Sequence, residues 1–250
     1  MKTNVYRNDA IADKPRATKA RSRSISLAAG VLYLLTFISI PIVTLYAPVH
    51  DPNYIIGSGP DTGIVFGGIL EIIVALAGIG TAVALYPAVK RQNESFALGF
   101  VGTRILEAST IFAGVVSLMT MVTLRQSGAG ADALLTGRAL LAMYDWFHLG
   151  QTLMPAANAV LLGSLLYQSR LVPRVLPVLG FIAAPLLVAN TILLMFGISG
   201  PLLTLTTLGV LPIAIWEFSL GVWLVVKGFK PTAITAELDQ TTPNTRVDAA

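Results

Sequence analysis

The 250-residue chain contains no cysteine and little charge: 12% of its residues are Asp, Glu, Lys or Arg, and two are His. The first absence excludes disulfides, thiolate metal sites and cysteine nucleophiles. The second excludes an ordinary soluble domain, in which about a quarter of residues are charged. Short catalytic signatures are missing too, since no G-x-S-x-G, H-E-x-x-H, C-x-x-C or dinucleotide fingerprint occurs, so the sequence names no cofactor. GSGPDTG at 57–63 has the outline of a phosphate loop but lacks its lysine, and its Gly, Pro and Asp are turn residues.

What is present is apolar. Hydrophobic residues make up 54% of the chain, the mean hydropathy is +0.73, and six runs are long enough for the roughly 20 residues that cross a bilayer. They are Ile25–Ala47, Gly63–Val89, Phe96–Leu124, Ala139–Tyr167, Val175–Ile198 and Leu202–Val226. The expected fold is an all-α polytopic membrane bundle of six transmembrane helices. The first run is too long for a signal-peptide core and is followed by no A-x-A site, so it is expected to be a retained helix.

Charge sets the expected orientation. Fourteen Lys and Arg fall in the N-terminal segment, KRQNE (90–94), QSRLVPR (168–174) and the stretch from KGFKP (227–231) onward, against two in the alternate connections. The positive-inside rule then places both termini in the cytoplasm. The expected domains are a basic cytoplasmic arm at 1–24, a transmembrane domain at 25–230 and a disordered cytoplasmic tail at 231–250, rich in Thr, Asp, Ala and Pro and without apolar periodicity. A basic arm lying directly against an apolar run reads as an anchor for anionic lipid headgroups rather than for nucleic acid. The bilayer is the first expected partner.

Six ionisable residues interrupt the apolar runs: Glu71, Arg104, Glu107, Asp145, His148 and Glu217. Such residues are costly in hydrocarbon, so they face the bundle interior and pair. Counting 1.5 Å per residue from the outer edge puts Asp145 and Glu71 at roughly 10–12 Å, Glu107 and His148 at roughly 14–15 Å, and Arg104 and Glu217 at roughly 18–21 Å. All six are expected in one midplane, ligand-binding site, with Arg104 paired to Glu217 or Glu107 and with Glu107 within reach of His148. Arg104 and Glu107 are i,i+3, as are Asp145 and His148, and Gln151 and Thr152 extend the second polar stripe. Four carboxylates against one Arg leave a formal −3, or −2 with His148 protonated. A low-dielectric site does not hold that surplus unbalanced, so protons, a metal ion or a cationic solute are expected there.

Gly63 and Gly67 form a GxxxG that admits close packing, and Pro41, Pro155, Pro185 and Pro212 fall inside runs, where they kink helices. Glu107-x-Ser109 and Glu217-x-Ser219 in the third and sixth runs raise an inverted repeat as one possible architecture.

The segment RSISLAAGVLYLLTFI (23–38), the motif R-x-x-E-A at Arg104–Ala108, a fourth helix carrying His148 and the closing WEFSLGVWLVVKGFK (216–230) resemble a bacterial six-helix membrane family catalogued as domain of unknown function 4386. The resemblance implies an integral membrane protein whose recurring polar positions map to Arg104, Glu107, His148 and Glu217, with Trp223 and Lys227 near the cytoplasmic end. It supplies no mechanism and does not extend to Glu71 or Asp145. Three functions remain open from sequence: a carrier or binding protein for a small cationic or protonatable solute; an intramembrane enzyme on a lipid-like substrate, with His148 and Glu107, Asp145 or Glu217 as metal ligands; and a scaffold without chemistry.

Overall fold

The computed structural model describes the backbone of residues 14–198 and 203–240, and the side chains of 21–198 and 210–240. All regular structure among them is helical: α1 Lys14–Leu35, α2 Ile42–Leu45, α3 Thr62–Val89, α4 Glu94–Gln126, α5 Leu134–Ser169, α6 Val175–Met195, α7 Leu203–Val226 and α8 Ala233–Gln240, with short 3-10 turns between some of them. Five helical segments are long and apolar enough to cross a membrane, namely Arg21–Leu45, Thr62–Val89, Glu94–Gln126, Gly130–Ser169 and Val175–Met195, and Val210–Val226 is a shorter apolar helix.

The joints at 90–93 and 170–174 hold four and five residues and force antiparallel neighbours. Asn93 starts α4 sharply, its Oδ1 accepting from the Phe96 N–H at 3.0 Å. Each long helix packs on its predecessor and successor, and α7 packs on α1, so α1, α3, α4, α5, α6 and α7 close a ring in chain order. That order excludes an inverted repeat. A two-fold axis in the membrane plane reverses the circular sense of a ring viewed along the normal, whereas superposing α1, α3, α4 on α5, α6, α7 preserves it.

Two expectations for the ends change. The first span is not one helix: α1 gives way at Thr36–Ser39 to a 3-10 turn, Pro41 interrupts the backbone, and α2 resumes for four residues. Proline contributes no N–H to the helical ladder, and the Thr36 and Ser39 hydroxyls donate to the Tyr33 and Thr36 carbonyls at 2.7 and 2.9 Å. Nor is the stretch after 231 a featureless tail. Thr232 and Thr235 cap each other, Thr232 N–H to Thr235 Oγ1 at 2.8 Å and Thr235 N–H to Thr232 Oγ1 at 3.4 Å, and α8 follows. Leu238 is fully buried, Glu237 pairs with Arg91, and Asp239 accepts from the Ser22 N–H at 3.0 Å. Two turns of amphipathic helix were too short to register as periodicity. Residues 14–24 of the expected arm already belong to α1; residues 1–13 and 241–250, and most of the expected ISGP joint at 198–201, lie outside the described residues.

Two apolar clusters fill the ring from opposite ends. At the end bearing α8, Phe100, Leu85, Leu162, Leu166, Leu220 and Leu224 are fully buried. At the end bearing the 46–61 loop, Tyr46, Tyr54, Ile64, Leu118, Met121 and Tyr144 pack together. The loop is tied down by Arg125, whose Nε donates to the Gly57 carbonyl at 3.0 Å, whose Nη1 meets Asp61 at 2.7 Å, and which also reaches the Gly59 carbonyl. Burial, and then its bond to the Asp61 carboxylate at 2.8 Å, push the Tyr54 hydroxyl up to about 12, so it stays a donor. The outer faces carry exposed Val43, Val83, Leu98, Val116, Ile182 and Phe218, the surface a bilayer requires.

Candidate functional site

Between the two clusters the ring interior opens into a cavity of about 230 Å³. Arg104 and Glu107 of α4 and Glu217 of α7 lie on its wall beside Gly78 of α3, Gln151 and Pro155 of α5, and Thr36 and Ser39 of the 3-10 turn. Arg104 is 3% exposed. Its Nη1 donates to Glu107 Oε2 at 3.0 Å and its Nη2 to Glu217 Oε1 at 2.8 Å. Since α4 and α7 occupy opposite positions in the ring, this second bond braces the bundle across its middle. Both expected partners of Arg104 are therefore present at once.

The guanidinium also lies 5.3 Å from the Tyr33 ring centroid and 5.8 Å from that of Phe100, within cation–π range. Gly78 lies against it, and a Cβ there would make ordinary contact with Arg104 Cδ and Nη1 at 3.9 Å. Glu107 Oε2 accepts a second bond from Asn158 Nδ2 at 2.9 Å, and Thr103 Oγ1 donates to Asn158 Oδ1. His148 is not the partner of Glu107; Asn158 holds that place. Asn158 was visible as a polar residue seven positions beyond Gln151 on the same α5 stripe, with Pro155 between them.

The six ionisable residues do not form one cluster. Arg104, Glu107 and Glu217 meet at the cavity. Glu71 lies seven residues from Gly78 on α3, about 10 Å nearer the loop end, and is 4% exposed. Tyr46 donates to its Oε2 at 3.1 Å and Tyr144 to its Oε1 at 3.5 Å, and the Gln151 side chain reaches it as well. These partners are neutral, and of them only Gln151 lies on the polar stripe that the sequence shows along α5. Tyr46 fits here because Gly67 has no side chain: a Cβ would run into the Tyr46 ring. The GxxxG thus seats an aromatic ring rather than a second helix.

His148 stacks edge-on against Tyr144 with centroids 4.8 Å apart. Asp145 sits at the rim, 3.9 Å from His50 of the loop, with both side chains more than half exposed. The loop brings His50 to α5, which a depth count along separate helices does not reveal. Trp146 is exposed on the outer face, where a bilayer-facing Trp belongs. The expected metal set of His148 with Glu107, Asp145 or Glu217 is not assembled, and among the described residues no three His, Asp or Glu come together as one.

The arrangement divides the formal charge. The cavity holds one cation between two carboxylates, a net −1, and each carboxylate keeps one oxygen without a hydrogen-bond partner among the described residues. No curated protein and no solved structure matches this chain. The model of one protein family, described as Domain of unknown function (DUF4386), matches residues 28–228. With well over half of its length matched, the chain belongs to that family.

Proposed function

We propose that the protein is a cytoplasmic-termini, six-span carrier or binding protein that takes a small cationic solute into the Arg104–Glu107–Glu217 cavity. The observation that carries the reading is the surplus carboxylate on the wall of a cavity inside the ring. A lone ion pair needs one acid; here two share one arginine, and a cation at the two unpaired oxygens brings the site to neutrality. The volume of about 230 Å³ falls below the roughly 300–1,000 Å³ of drug-sized pockets and suits a solute of a few non-hydrogen atoms. Polar groups at midplane beside proline-bearing helices are what carriers use. The apolar cluster around Phe100 and Leu220 then forms the cytoplasmic plug, and the α4–α7 brace has to loosen for release on that side.

The test is binding of methylammonium, sodium and potassium to full-length protein in detergent, read as stabilisation against heat, which a bound ligand confers in proportion to its occupancy. At least one should raise the melting temperature of the wild type, with an effect that fades as pH falls and the acids protonate. Glu107→Gln and Glu217→Gln should remove it. No stabilisation by any of the three, or an equal effect in both variants, rejects the cation reading and favours a scaffold in which Arg104 only ties helices together.

A further inference from the structure

Glu71 is not explained by the cavity. It is a carboxyl group inside the bundle whose described partners are two phenols and an amide, with no cation among them. An ionised carboxylate in such surroundings has lost its water and gained only dipoles, which is unfavourable even when each oxygen accepts a hydrogen bond. The groups facing it can be followed element by element. Between Ser24 and Val49 the chain has no charged residue, so the α1–α2 side supplies Tyr46. From Ala108 to Leu124 α4 has none either; its Val115 and Met119 pack on Gly68, one turn from Glu71. α5 supplies Tyr144, His148 and Gln151, with Asp145 and His50 at the rim; α6 carries no charge, and the acid of α7 is Glu217 at the cavity.

The residues around Glu71 also point in two directions. Toward the loop end, Tyr144 touches both the Glu71 carboxylate and the His148 ring, and the next residue, Asp145, meets His50 at the exposed rim. Toward the middle, Gln151 both reaches Glu71 and lines the cavity. A primary amide offers donors on one side and an acceptor on the other. An ionised Glu71 would hold the amide N–H toward the carboxylate, which leaves its carbonyl for the cavity. Once Glu71 is protonated, the amide is free to turn over.

We propose that Glu71 is a proton-binding site reached from the loop end past His148 and the His50–Asp145 pair, and that its charge state is passed to the cavity through the orientation of Gln151. The step is a simple exchange: the carboxylic O–H breaks, the proton leaves to solvent at the rim, and the electron pair stays on the carboxylate. The coupling to the cavity rests on the function proposed above; the proton site itself does not.

Infrared spectroscopy of the full-length protein in lipid vesicles tests the two separately. Wild type should show a carboxylic C=O band that shifts in D2O and vanishes as pH is raised. It should be missing in Glu71→Gln, which keeps the shape and a carbonyl acceptor for one of the two tyrosines, and retained in Glu107→Gln and Gln151→Leu. If Glu71→Gln fails to fold, Tyr46→Phe combined with Tyr144→Phe serves instead. Those changes remove donors to the carboxylate, and the band should persist to higher pH. Absence of the band in wild type, or a band indifferent to both sets of changes, overturns the proton site. A band present in a protein that binds none of the test cations rejects the cavity reading alone. With both present, Gln151→Leu should remove Glu71's share of the pH dependence of cation binding and leave the share set by Glu107 and Glu217, and an unchanged profile overturns the coupling.

Discussion

Arg104 is the only Lys or Arg within the apolar runs, and it is enclosed by two carboxylates and two aromatic faces. Removing it leaves Glu107 and Glu217 buried without a counter-charge, so Arg104→Ala should cost about 3–5 kcal/mol in unfolding from detergent. Adding Glu217→Gln should return part of that loss, and strictly additive effects in the double mutant would show that the pair is not coupled. Asn158 tests the neutral side of the same network. Asn158→Leu deprives Glu107 of a donor and should cost about 1–3 kcal/mol, measured the same way. The charged residues were legible in the sequence because nothing else justifies a charge in an apolar run, and depth and spacing allowed Glu217 or Glu107 as the partner of Arg104, both of which are bonded to it. Their neutral partners were not: Tyr33, Tyr46 and Tyr144 are ordinary residues for a membrane helix, and only the fold shows which of them turn inward.

Among the elements, α4 and α5 come so close that a Cβ on Gly150 would run into the Thr110 side chain. Gly150→Ala should therefore push the two helices apart and cost about 1–3 kcal/mol, with Thr110→Gly in the same protein, which removes the Thr110 Cβ as well as its branch, restoring part of it. Thermal unfolding of the three variants checks this, and an uncoupled pair would place the contact elsewhere. Helix positions were legible from hydrophobic length to within a few residues, as at α6, expected over 175–198 and found at Val175–Met195. The break between α1 and α2 was signalled by Pro41, yet its 3-10 form depends on the Thr36 and Ser39 hydroxyls and on packing against α3. α8 escaped because its stability comes from contacts with α1 and α3 rather than from its own composition.

For the molecule as a whole, reporter fusions at 92, 172 and 235 should read cytoplasmic and those at 55 and 130 external. An external signal at 235 would overturn the proposed six-span orientation. The ring in chain order was beyond the sequence, since hydropathy gives spans and sides but not neighbours, and the same ring disposes of the repeat that two E-x-S motifs had raised. The brace from Arg104 to Glu217 also fixes a sequence of events in time. The two residues are 113 positions apart. At roughly 5–20 residues per second of synthesis, α4 waits on the order of 6–20 s in the membrane before its distant partner exists. During that interval Glu107, one turn along the same helix, is the nearest counter-charge Arg104 possesses, so the newborn segment carries its own neutralising acid into the bilayer. Glu107→Gln should consequently reduce the fraction of full-length chains with α4 inserted in a glycosylation-site assay, while Glu217→Gln, whose residue arrives only with the last helix of the ring, should leave insertion of α4 untouched and weaken the protein only once the ring has closed.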